Sequence, residues 1–147
     1  MKALLQAIKS RLESQLSYIK KVHYLVDEDL LPAEAAFPCI GLKDGNISYE
    51  QYAAEGIQKS VSEVRVVVYQ EILRPEAPVM GYSTQKGVLE IAADVKSSLD
   101  NYKALGSITN IVFADLMSED GSETMGADEV LIQKKGLFMR YEQHTDL

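Results

Sequence analysis

The sequence predicts an α+β fold with a mostly antiparallel sheet and two main helices packed on one face. Three observations carry that expectation. Residues 4–19 place leucine and isoleucine at three- and four-residue steps. Residues 60–73 alternate apolar with polar and charged side chains. The order of patterns along the chain is helix, hairpin, strand, helix and then two strands, which belongs to α+β proteins.

The first helix rests on Leu4, Leu5, Ile8, Leu12, Leu16 and Ile19, with Lys2, Lys9, Arg11, Glu13 and Lys20 mostly between them. One apolar stripe and a mixed-charge back describe a helix packed on a sheet, not one lying on a membrane. Residues 26–38 have prolines at 32 and 38 and read as a linking loop. Their acidic triplet Asp27-Glu28-Asp29 reads as solvated, because adjacent residues point in different directions. Residues 37–50 read as a strand, a turn at Asp44-Gly45 and a second strand, since glycine accepts the positive φ of tight turns. Residues 51–60 carry no period and read as a loop.

In 60–73, Val64, Val66, Val68 and Ile72 share one face and Glu63, Arg65 and Glu71 the other. That pattern suits an antiparallel sheet with one wet face. A loop with two prolines follows, then a helix with Val88, Ile91, Ala92, Val95, Leu99 and Tyr102 on one side. Ser83 or Thr84 is the expected cap at its start and Gly106 the expected stop. Residues 107–116 are apolar on both faces and predict a central strand. Residues 117–127 read as a polar loop, and 128–142 as a last strand with a bulge at Gly136.

The 147 residues suit a single domain over 1–147, at 46% hydrophobic and 25% charged. A net charge of −7 argues against a surface that grips nucleic acid phosphates. One cysteine, Cys39, allows no internal disulfide and points to a reducing compartment. No run of eighteen apolar residues predicts a membrane span, and the first sixteen residues lack a signal-peptide core.

Motifs for chemistry are not met. Residues 81–88 resemble a phosphate-binding loop only superficially: Lys86 precedes Gly87, and Val88 stands where a hydroxyl is needed. His23 and His144 are isolated, and no Cys/His spacing fits zinc. An EF-hand centred on Gly121 would put Leu116 and Ala127 at ligand positions. Cys39 lies between Pro38 and Ile40 and reads as a small buried residue. The expectation is a protein without catalysis, cofactor, metal or small-molecule ligand. The remaining signal is acidic: Asp115, Glu119, Asp120, Glu123, Asp128 and Glu129 occur with no lysine or arginine before Lys134. Glu119, Asp120, Glu123 and Asp128 are the candidate interaction residues, on a tip that repels DNA or docks on a basic partner.

The segments FPCIGLKDG, EVRVVVYQEI, KGVLEIAADVKSSLDNY, ITNIVFADL and EVLIQKKGLFMRYE, behind an amphipathic first helix, resemble the tail-terminator proteins of tailed bacteriophages. These are also called tail-completion or head–tail joining proteins. The resemblance covers most of the chain and is one of order and texture. It implies a virion protein, made in the bacterial cytoplasm, that forms a ring, commonly a hexamer. The ring would sit at the head-proximal end of the tail tube, stop tube growth and meet the head connector. DNA would pass through it without specific binding, and the acidic candidates would line the lumen. The other reading is a small intracellular adaptor or protein-interaction domain with the same layout.

Overall fold

The computed structural model describes residues 1–52, 56–73, 76–82, 85–127 and 130–146. Its frame is a ladder between β3 (Ile57–Glu71) and β6 (Val130–Asp146), in which every residue of β3 has an antiparallel partner on β6. β2 (Cys39–Tyr52) pairs antiparallel with the other edge of β3. β4 (Ile111–Glu119) and β5 (Glu123–Ala127) both pair antiparallel with the outer side of β6. The short β1 (Val22–Tyr24) closes the far edge, parallel to β2 over Ile40–Leu42. Helices α1 (Lys2–Gln15), α2 (Ala77–Met80) and α3 (Val88–Leu99) complete the chain.

This corrects the expected fold class. The chain is mostly β, 46% strand and 22% helical, and its six-stranded sheet is mixed, not mostly antiparallel. The parallel pair exists because residues 25–38 carry the chain from the end of β1 back to the start of β2. Parallel neighbours need a connection of about a dozen residues or more, and this one has that length. Much of the extra strand comes from segments whose sequence is rich in turn residues. Asp44-Gly45 is no hairpin turn: β2 runs through it with a bulge between Asp44 and Ile47. Gly45 fits there because a Cβ would lie 2.7 Å from the Glu63 carbonyl. Residues 51, 52 and 57–60, read as loop, are the ends of β2 and β3.

The two main helices are present, and both pack on one sheet face. Alternate residues of the central strands point there: Ile40 and Leu42, Val64, Val66 and Val68, Leu137, Met139 and Tyr141. Leu4, Ile8 and Leu12 of α1 and Val88, Ile91, Val95 and Leu99 of α3 cover them. Arg11 ties the helices together, stacking its guanidinium 3.6 Å from the Tyr102 ring centre and donating to the Ser98 carbonyl.

The opposite face was expected to be wet and is not. Leu25, Cys39, Val67, Tyr69 and Ile132 form a second core there, covered by Leu31, Ala35 and Phe37 of the 25–38 strap. Two cores on opposite faces explain the change of phase in β6 near Gly136. Ile132 belongs to the strap core, and Leu137, Met139 and Tyr141 belong to the helix core. No bulge interrupts the β3·β6 register at Gly136. The bulges lie on β4 instead, between Ile111 and Phe113 and between Leu116 and Ser118. β4 is also a sheet edge, not a central strand, with Phe113 and Met117 exposed.

α3 is capped at its start by Gly87, whose N–H donates to the Glu90 carboxylate at 3.3 Å. The expected caps, Ser83 and Thr84, lie outside the described residues. It ends at Leu99, well before Gly106, and Asn101 takes the left-handed conformation at φ 62°. Asn is one of the few residues that tolerates this.

Leu12→Ala removes a fully buried side chain from between helix and sheet. It is expected to lower unfolding free energy by about 2–5 kcal/mol in urea titration. The exposed Leu30→Ala is expected to change it by less than about 0.5 kcal/mol.

Candidate functional site

The acidic residues singled out in the sequence do not form a free loop. Glu119 is the last residue of β4 and Glu123 the first of β5, and both are exposed. Glu119 stands opposite Leu137 and Glu123 opposite Lys134. Three residues, 120–122, thus face two on β6. β4 and β5 are one edge strand with a one-residue bulge, not a strand followed by a loop. Asp128 lies outside the described residues.

Asp120 holds the bulge in place. Its N–H donates to the Gly136 carbonyl at 2.8 Å, its carbonyl accepts from Lys135, and its carboxylate accepts from the Arg65 guanidinium. Arg65 reaches across the sheet over Gly136, where a Cβ would overlap the guanidinium. The same guanidinium donates to Glu28 of the strap at 2.8 Å. Lys134 adds bonds to Glu28 at 3.1 Å and Asp29 at 2.6 Å, and Glu123 lies 3.9 Å from it. Tyr69 donates to the Glu28 carbonyl at 2.6 Å. The triplet read as solvated is therefore half of a clamp that fastens the strap. Asp27 lies outside the clamp: its carboxylate accepts the local N–H of Asp29 and its carbonyl the N–H of Leu30, and Val26 beside it is 86% exposed.

The hydrogen bond from Arg65 holds the Glu28 carboxyl below its ordinary range, and Lys134 adds to this against the cost of burial. Burial works to lower the Lys134 ammonium, but its bonds to Asp29 and Glu28 win and raise it. A carboxylate depressed in the folded chain contributes stability above the ordinary carboxylate range and loses it as pH falls through its folded value.

A second charged cluster lies further along the same face. Glu142 is buried and accepts from Lys59 at 3.2 Å and His144 at 3.1 Å, with Arg140 at 3.6 Å. It braces an arm made from the distal parts of β2, β3 and β6. None of residues 43–50 and 56–61 is buried, so the arm depends on its ladder and these pairs. Ile47 and Tyr49 are exposed on the arm.

The two sheet edges differ. β1 covers β2 only as far as Leu42, where Leu25 donates a last backbone bond at 2.8 Å. Beyond it, the outer side of residues 43–52 has no strand partner among the described residues. The middle of β4 is closed. Asn101 N–H donates to the Ala114 carbonyl at 2.7 Å, and Leu116 N–H donates to the Asp100 carboxylate at 2.9 Å. Natural sheets blunt their edges against stray pairing, and here one is blunted and one left open. Neither Asp100 nor the 43–52 edge stands out in sequence, because both act through backbone groups that pair far away in the chain.

The hollows are open grooves. One of about 520 Å³ between α1 and residues 102–108 has Ala3, Ala7, Arg11, Tyr102 and Leu105 in its wall and no carboxylate or histidine. Among the described residues, no three His, Cys, Asp or Glu are grouped to hold a metal ion. Cys39 is buried, and burial pushes its thiol up to about 12. No protein-family model and no curated protein matches the chain.

Two outcomes follow. Glu28→Gln removes the charge that fastens the strap over Cys39, so the Cys39 thiol is expected to react with a disulfide reagent about tenfold faster at fixed pH. Unchanged labelling would show that the clamp does not hold the strap. Tyrosine fluorescence is expected to stay constant from neutral pH down to the ordinary carboxylate range and to change below it, as Glu28 beside Tyr69 and Asp94 beside Tyr18 are protonated, and in Glu28→Gln the Tyr69 part of that change is expected to be lost.

Proposed function

We propose that the chain is a virion structural protein of the tail-terminator kind. Copies form a ring at the head-proximal end of a phage tail tube, end tube growth and present a surface to the head connector. It is made in the host cytoplasm and resides in the virion tail. The observation that carries this reading is the edge at residues 43–52, which has no strand partner among the described residues, on an arm whose residues 43–50 and 56–61 are not buried. An unblunted edge with exposed Ile47 and Tyr49 is a hazard to a monomer and an asset to an assembly. The net charge of −7 suits a lumen through which DNA must slide. The reading assigns no catalysis and no cofactor.

The same open edge also suits a second reading, a small intracellular adaptor that captures an extended segment of a partner. Sedimentation over a wide concentration range, with electron images of any large species, separates the two. The ring reading predicts closed oligomers at high concentration. It also predicts that Ile47→Asp with Tyr49→Asp lowers the assembled fraction at least tenfold while leaving the thermal midpoint unchanged. A chain that is monomeric at every concentration, alone and with tail tubes, would sink it.

A further inference from the structure

We infer that the open β2 edge takes the β5 edge of a second copy of this chain, not the β4 edge. The inference rests on the assembly reading above and specifies the contact. Among the described residues the sheet offers one long open edge, 43–52, and on its other side only β5 and the end of β4, because Asp100 and Asn101 close the middle of β4. A head-to-tail contact must join an edge of one kind to an edge of the other.

Strand direction agrees. β2 runs opposite to β3, β3 opposite to β6, and β6 opposite to β5. A second copy set down in the same orientation therefore brings β5 antiparallel to β2, the pairing that needs no crossover. The surfaces match as well. Exposed Glu119 and Glu123 flank the β5 end, with exposed Met117 and Leu131 nearby. Beside the open edge lies exposed Lys2, with exposed Ile47 and Tyr49. The acids of that edge are already engaged: Asp44 with Lys43 at 2.9 Å and Glu50 with Lys59 at 3.7 Å.

The contact forces a stagger. Ser48 lies level with Glu142 through Val61, and Met125 lies level with Ile132. The ten residues of β6 between those levels span about 33 Å. Neighbouring copies are therefore offset along the strand direction, and a closed ring holds its strands oblique to its axis, as barrels do. The offset also makes the contact small, so that free copies associate weakly.

Paired cysteines in the full-length chain test this. One set places a cysteine at 47, 48, 49 or 50 and another at 124, 125 or 126. A comparison set replaces the second position with 112, 113 or 115. Within one copy the first set is separated by far more than a disulfide spans, so any link joins two copies. Circular dichroism checks each variant for native folding, and the unsubstituted chain, with Cys39 buried, controls for stray oxidation. The expected result is disulfide-linked chains from the first set and none from the comparison set. Oligomers that link only through the comparison set, or through neither, would overturn this contact and leave the assembly reading standing. A chain that is monomeric at every concentration and links nowhere would overturn both.

Discussion

The fold depends on the uninterrupted pairing of β3 with β6. Every residue of β3 is engaged, and β2 and β4 flank the pair, so these two strands are central for most of their length. A central ladder presents two faces, and each must be dried or charged. Where the helices lie, valines and leucines meet them. Where no helix lies, the strap supplies the cover, and the ion pairs of Arg65 and Lys134 with Glu28 fasten it. Further along, the ladder outruns both covers and becomes the arm. Its edge, its charge clusters and its open backbone are all consequences of that overrun.

Parts of this were legible in the residues alone. The apolar steps of α1 and α3 and the alternating valines of β3 are local periodic signals, and they mark the helices and the helix-facing core correctly. The errors have one cause: partners distant in sequence override local preference. Asp44-Gly45 is a good turn, but the twelve residues of β2 paired with β3 on either side absorb it as a bulge. Residues 117–127 are polar and glycine-containing, yet β6 offers them a ladder. β1 has three residues, too few for any periodic signal, and it alone makes the sheet mixed. The candidate acids were found by composition, which has no view of Arg65 or Lys134. Composition therefore marked Glu119, Asp120 and Glu123 together, although Asp120 is tied into the clamp and the other two are exposed on the edge.

The asymmetry between the two edges links fold to function. Closing both would suit a solitary protein, and leaving both open along their whole length would let a second strand pair in many registers. Here Asp100 and Asn101, just past the end of α3, close the middle of one edge with a carboxylate and a backbone N–H. The other edge is left open where the arm outruns its cover. Such an arrangement restricts a second strand to defined places, which is what a finite assembly requires.

The most direct measurement is amide hydrogen exchange on the chain at low and high concentration. Residues 43–52 face β3 on one side only, so alternate amides there should exchange rapidly in the dilute chain. The account predicts that these amides, and those of β5, gain protection together as the chain assembles, while amides near Ala114 and Leu116 do not change. Assembly with the 43–52 amides still exchanging as in the dilute chain would contradict it.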